Sequence, residues 1–293
     1  MKGPFGAIEA GGTKFVCLIG SGPDDILAHT RIPTTTPQET LHRVVEFFQE
    51  NGRGISALGV ASFGPLDLDK TASTYGWIAA TPKAGWSNTD LLGPLHAALE
   101  APTVIDTDVN GAALGENRWG AARGLDNFVY LTVGTGIGGG VMVNGQLLHG
   151  VQHPEIGHML LPHDPQHDPF AGLCPFHANC LEGLANGPAL EARWKQSPEE
   201  LIPDHPAWEL EAHYLALACM NLSLTLSPRR IVLGGGVMQQ EHLFPRIRQK
   251  LVVLLNDYLR SSVILDGIDR YIVPAGLGSR AGVLGALALA QTL

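Results

Sequence analysis

The sequence predicts an α/β chain built from two related halves. Three observations carry that expectation. Two glycine-centred hairpins, Phe5–Leu18 and Leu131–Val143, each read as strand, Gly/Thr turn, strand, and lie about one domain's length apart. Short buried strand patterns alternate with helical patterns along the rest of the chain. The 293 residues are 45% hydrophobic, enough for one large core or two medium ones.

The elements follow in order. Residues 5–32 read as a β-meander on the first hairpin. Thr36-Pro37-Gln38-Glu39 opens a helix to about Glu50, with proline in its first turn. Ala57–Phe63 is a buried strand closed by Gly64-Pro65. The segment Thr81-Pro82-Lys83-Ala84-Gly85-Trp86 is loop, and a helix is expected from about Thr89 to Ala98. Pro102–Thr107 is a further strand, followed by a helix from near Asn110 to Trp119. After the second hairpin, residues 150–188 are irregular and rich in His, Pro and Cys, and a loop of that length usually serves function. Helices are expected at about 188–196 and 207–226. Arg230–Leu233 is a strand, and Gly234-Gly235-Gly236 is expected to open a helix running through Leu259. Tyr271–Val273 is a strand and Gly282–Leu293 a closing apolar helix.

Composition narrows the partners. The net charge is −9 and no basic stripe is present, which argues against nucleic acid. No apolar run reaches the length of a membrane span, and the N-terminus lacks a signal-peptide pattern. The expectation is a cytoplasmic protein. Cys17 and Cys219 fall in strand and helix patterns and read as core residues.

Three constellations carry chemistry. The turns at Gly11-Gly12-Thr13-Lys14 and Gly134-Thr135-Gly136 offer backbone N–H groups and hydroxyls suited to phosphate. Ordinary β-turns explain either turn alone; the pair, with a third glycine cluster at 234–236, points to a nucleotide held between two lobes. A backbone without Cβ at 234–236 admits the close approach of a flat ring. Asp106 and Asp108 lie where a buried strand hands over to a helix, the usual ligand end of an open α/β sheet. Either carboxylate could take the proton of a hydroxyl attacking phosphorus, an effect of about 10²–10⁴-fold. Either could equally cap the helix. His158, Cys174, His177 and Cys180 form a two-His, two-Cys set suited to a structural tetrahedral zinc site. His153, His163 and His167 are alternative ligands, and a Cys174–Cys180 disulfide is the competing reading. Glu155 and Glu182 flank this loop and could accept hydrogen bonds from vicinal sugar hydroxyls, or be solvated loop acids.

Together these residues resemble the ROK family of repressors, open-reading-frame proteins and sugar kinases. The resemblance rests on Glu9–Lys14, Thr107–Ala113, Gly134–Gly138, Glu155–His158, the Cys/His loop ending in Cys180-Leu181-Glu182-Gly183, and Leu233–Val237. It implies the two-lobed actin/hexokinase-like (ribonuclease H-like) fold, with ATP and sugar in the interlobe cleft. One lobe would comprise residues 1–118 completed by 275–293. The other would comprise 119–274 with the zinc loop 153–182. The resemblance implies Asp108 as general base. It places Gly11, Gly12, Thr13, Lys14, Thr135 and Gly136 on phosphates, and Pro188, Gly234, Gly235, Gly236, Val237 and Met238 beside the rest of the nucleotide. Asn110, Glu155, His158 and Glu182 would contact sugar, while His158, Cys174, His177 and Cys180 would hold zinc. Magnesium would accompany ATP, and a homodimer is the family expectation.

Two departures stand out. Many family members carry Asp at the position of Glu9, and most carry a third Cys where His177 stands. With His153-Pro154-Glu155-Ile156-Gly157-His158 and Thr81–Trp86, that variant looks like the bacterial fructokinase branch. The implied activity is phosphorylation of fructose at its 6-hydroxyl. Mannose, glucose or N-acetylmannosamine is the alternative substrate, and a sugar-sensing regulator the less favoured role. ROK repressors carry a helix-turn-helix ahead of the kinase-like part, and a first strand starting near Phe5 leaves no room for one.

Overall fold

The computed structural model describes residues 3–52, 54–81 and 83–293, so Pro82 of the Thr81–Trp86 segment lies outside the described residues. The chain divides into two compact units. The first contains Met1–Gly124, His149–His153 and Ser279–Leu293; the second contains Leu125–Leu148 and Pro154–Gly278.

In the first unit, β1 (Phe5–Ala10), β2 (Lys14–Gly22) and β3 (Asp25–Pro33) form the expected antiparallel meander. β4 (Leu58–Ser62) and β7 (Thr103–Thr107) extend it in parallel, giving the order β3-β2-β1-β4-β7. Helix α1 (Pro37–Asn51) begins where Thr36 accepts the Glu39 N–H, with proline in the first turn. Leu41, Val44 and Phe48 recur on one face and are buried. Helix α3 (Asp108–Trp119) packs on α10 (Ala281–Ala290), which also covers β1, β2 and β4. Gly59 makes that approach possible: a Cβ there would stand 1.9 Å from the Ala286 carbonyl oxygen.

The second unit repeats the plan. β8 (Phe128–Val133), β9 (Ile137–Val143) and the short β10 (Gln146–Leu147) are antiparallel. β11 (Ile231–Gly234) and β12 (Ile272–Pro274) join in parallel, in the order β10-β9-β8-β11-β12. Each sheet is therefore a three-stranded meander followed by two parallel strands, the physical form of the echo between the hairpins. Helices α4 (Leu181–Ala185), α5 (Gly187–Trp194), α6 (Ala207–Leu226), α7 (Leu243–Leu255), α8 (Ser262–Leu265) and α9 (Ile268–Tyr271) contribute to this unit's core.

Two helices start later than the sequence pattern suggests. Thr89–Asp90 forms β6, paired with β5 (Trp77–Ile78), and α2 begins only at Leu92 (Leu92–Leu99). The Asp90 carboxylate accepts the Gly93 N–H, a local bond that favours the turn over an earlier helical start. After Gly236 there is a single 3-10 turn, Val237–Gln239, and α7 starts at Leu243. Pro245 explains the delay. It has no N–H, fits the first turn of α7, and would break the interior of a helix begun at Gly236. Asn256, left-handed at φ 43°, ends α7 well before Leu259.

Candidate active site and metal cluster

The first unit holds a turn and a carboxylate group. Gly11 N–H donates to the Lys14 carbonyl at 3.0 Å, closing the β1–β2 turn, and Gly12, Thr13 and Lys14 are exposed on it. A Cβ on Gly11 would stand 2.8 Å from the Lys14 carbonyl oxygen, so the turn itself requires glycine there. The Thr34 hydroxyl donates to the Gly11 carbonyl and fixes the turn against β3. Behind it, half-buried Glu9 has its pKa raised by burial, which outweighs the lowering by Lys14 and by the Val283 N–H. The Val283 bond turns this carboxylate toward the first turn of α10.

Asp108 is the first residue of α3, at the carboxyl end of β7, and is half-buried. Its Oδ1 accepts the Val109 N–H at 2.9 Å. Helix capping falls to neither aspartate: Thr107 is the N-cap, its hydroxyl accepting the Asn110 N–H at 3.1 Å. Asp106 is 5% exposed in β7 and belongs to a hydrogen-bonded group with Asn110 and His149. Asn110 is wholly buried, and its Oδ1 has no hydrogen-bond partner among the described residues.

The second unit holds the other turn and the Cys/His loop. Gly134 N–H donates to the Gly136 carbonyl at 2.9 Å, leaving Thr135 exposed at the tip. Asn186 reaches back to the Thr135 carbonyl at 3.0 Å, and Gly187 N–H donates to that of Gly134. Asn186 also caps α5, whose first turn holds the exposed Pro188. Of the glycine triplet, Gly234 and Gly235 serve the unit's own packing. A Cβ on Gly234 would press on the Tyr130 hydroxyl, and one on Gly235 (φ +93°) would stand 2.3 Å from the Val133 carbonyl oxygen. Gly236 is exposed and open, whereas Val237 and Met238 are buried in the core.

His158, Cys174, His177 and Cys180 come together, their ligand atoms all within 4.8 Å of one another. Cys174 Sγ lies 3.6 Å from His158 Nδ1 and 3.8 Å from His177 Nδ1, and Cys180 Sγ lies 3.7 Å from His158 Nδ1. A tetrahedron with Zn–S and Zn–N bonds of about 2.3 and 2.05 Å has S–N edges of about 3.6 Å. The residues thus fit a tetrahedral ion of that size. His153, by contrast, accepts the Leu66 N–H in the first unit, and His163 bonds the Asp168 carbonyl. All four cysteines are free thiols, so the disulfide reading fails. Burial pushes the Cys180 thiol up to about 11, with Cys174 nearby adding to the shift. An ion would be needed to hold the Cys180 sulfur as thiolate.

Glu182 follows the Cys180 ligand position in α4. Its Oε2 accepts the Ile137 N–H at 2.8 Å, beside the β8–β9 turn. Glu155 is exposed and precedes the 3-10 turn Ile156–His158. Gly157 lets that turn lie against β9, where a Cβ would stand 1.9 Å from the Ile137 carbonyl oxygen.

Sequence reading missed the node that supports this loop. Buried Asp168 accepts from Arg193 Nε at 3.1 Å and from the Tyr214 hydroxyl at 2.6 Å. Arg193 also donates to the Leu184 carbonyl and lies 4.5 Å over the Phe170 ring. Each residue alone reads as ordinary loop or helix surface. The only sequence hint was an arginine and a tyrosine inside largely apolar helices.

Comparison with known proteins adds to this geometry. The ROK family model matches residues 5–293. A putative fructokinase of Bacillus subtilis is 47% identical over 98% of this chain and 95% of that protein. A fructokinase of Zymomonas mobilis is 44% identical over 98% and 96%. The crystal structure of a ROK hexokinase from Thermus thermophilus superposes with a TM-score of 0.80 at 28% identity, covering 99% of this chain and 98% of that one. The α/β architecture is accordingly the actin/hexokinase-like one, and the chain belongs to the ROK family.

Proposed function

We propose that the chain is an ATP-dependent fructokinase. The observation that carries this reading is end-to-end similarity to fructokinases at 44–47% identity, coinciding with an aspartate at the carboxyl end of a central parallel strand. In this reading ATP enters with magnesium on its phosphates. Gly11, Gly12, Thr13, Lys14, Thr135 and Gly136 take the phosphates through backbone N–H groups, hydroxyls and one ammonium. Exposed Pro188 and Gly236 face the rest of the nucleotide, with Gly234, Gly235, Val237 and Met238 packed behind them to hold that backbone in place.

Fructose is held by Glu155, His158 and Glu182, and by Asn110 through its unpartnered Oδ1. Asp108 accepts the proton of the 6-hydroxyl as the O6–phosphorus bond forms and the bond to the ADP oxygen breaks. His158, Cys174, His177 and Cys180 hold structural zinc, leaving no position for a catalytic water. A homodimer belongs to the same reading by family resemblance. Action in the cytoplasm is in keeping with four unpaired thiols.

The test is a coupled assay comparing kcat/KM for fructose, mannose, glucose and N-acetylmannosamine. Fructose should lead clearly, and a clear preference for another hexose overturns the substrate assignment. Asp108→Ala should lower kcat by at least about 10²-fold with folding intact. Near-full activity in that variant overturns Asp108 as base.

A further inference from the structure

The residues around Asp108 form an arrangement that the proposed reaction does not by itself require. Asp106 sits at the end of β7 with its carboxylate buried. Its Oδ1 accepts the Thr107 N–H at 2.7 Å and the Asn110 side-chain amide at 2.7 Å. Its Oδ2 meets His149 Nε2 at 2.9 Å. In this contact Asp106 Oδ2 accepts and His149 Nε2 donates. The 3.4 Å approach of Asn110 Nδ2 to His149 Nε2 is then two donors converging on one carboxylate, not a bond between them.

His149 comes from far along the chain. The polypeptide leaves the second unit after Leu148, runs through His149–His153 in the first unit, and returns at Pro154. Both ends of this strap are tied by imidazoles. His149 bonds Asp106, and His153 Nε2 accepts the Leu66 N–H at 3.2 Å.

We propose that Asp106, Asn110 and His149 form a positioning group that aims the Asp108 carboxylate. The inference rests on the reading of Asp108 as general base. Asp106 grips the first turn of α3 at two points, the Thr107 backbone and the Asn110 side chain, one on each side of Asp108. The Asp108 carboxylate is itself oriented by the Val109 N–H of the same turn. A rotation of that turn therefore re-aims Asp108 directly. His149 holds the far oxygen of Asp106 and stops its carboxylate from swinging. A misplacement of about 1 Å at a reacting group costs about 10²-fold in rate.

The rest of α3 does not depend on this group for its place. Gly111 packs against the Ala61 side chain, and Gly115 and Gly111 meet Gly285 of α10 at backbone distance. Loss of His149 should accordingly change aim more than stability. Its side chain is 41% exposed, so truncation leaves no sealed cavity.

The experiment uses the full chain with Asp108→Asn, His149→Ala, His149→Gln, His149→Asn and Asp106→Asn. His149→Ala should lower kcat at least about 10-fold, with KM for ATP within about twofold and the melting temperature nearly unchanged. His149→Gln places an amide N–H near the Nε2 position and should recover most of kcat, whereas the shorter His149→Asn should not. Asp106→Asn combined with His149→Ala should lose little more than either alone. Wild-type kcat in His149→Ala overturns the inference. So does a joint fall in kcat and melting temperature that His149→Gln fails to reverse, which would mark a purely structural contact. If Asp108→Asn keeps near-full activity, the general-base reading fails, and this inference falls with it.

Discussion

Glu211 of α6 gives a stability prediction that pH can read out. It is 0% exposed, and neither carboxylate oxygen has a hydrogen-bond partner among the described residues. Burial raises its pKa well above 4.5, and the pull of Arg193 in the other direction does not compensate. The folded chain therefore holds a proton that the unfolded chain releases. Stability from this group is full below about pH 4.5 and drains away as pH rises toward the folded pKa. The slope is at most about 1.4 kcal/mol per pH unit, so the loss between pH 5 and 7 is at most about 2.7 kcal/mol. Glu211→Gln keeps the shape and removes the titration. Its melting temperature relative to wild type should climb between pH 5 and 7, by at most about 5–10 °C at about 2–4 °C per kcal/mol. Scanning calorimetry at matched ionic strength measures the difference, and any fixed cost of burying an amide cancels in it. A wild-type-minus-variant difference that stays flat across this range refutes the reasoning.

Two further outcomes follow from the fold and the metal cluster. Elemental analysis should find about one zinc per chain, and Cys174→Ser should lose it, with new protease cleavage between residues 160 and 180. A metal-free preparation with unchanged melting temperature and activity would remove zinc from the structural role. Gly59→Ala drives a methyl to within 1.9 Å of the Ala286 carbonyl oxygen, and should destabilise the first unit by about 1–3 kcal/mol or more. An unchanged denaturation midpoint would show that α10 can shift away freely.

What could be seen in the sequence was what local chemistry controls. The hairpins, the capped start of α1 and the strand–helix handover at Thr107 follow from glycine, proline and threonine acting on their neighbours. The Cys/His set was legible because metal ligands of that type cluster by spacing. The late start of α7 was legible in principle, since Pro245 forbids the longer helix, but the apolar pattern around it hid the signal. His149 and Asp168 were not legible. Each gains its role from a partner that is distant in sequence, and neither stands in a pattern of its own. The purpose of the glycine triplet was half visible. Two of its members answer to Tyr130 and Val133, contacts that only the fold creates.

Helix α10 has a consequence for synthesis. Its residues from Val283 to Ala290 are nearly all buried, and they complete a core whose other strands and helices end by Gly124. On a ribosome adding about 5–20 residues per second, the first unit waits about 8–30 s for that helix. During the wait β4 exposes the Gly59 groove that α10 will fill. The second unit, wholly encoded between, can be finished while the first is still open. The first half of the gene therefore specifies the last part of the protein to mature, and a nascent chain is most exposed to chaperones and proteases on its earliest-made sheet.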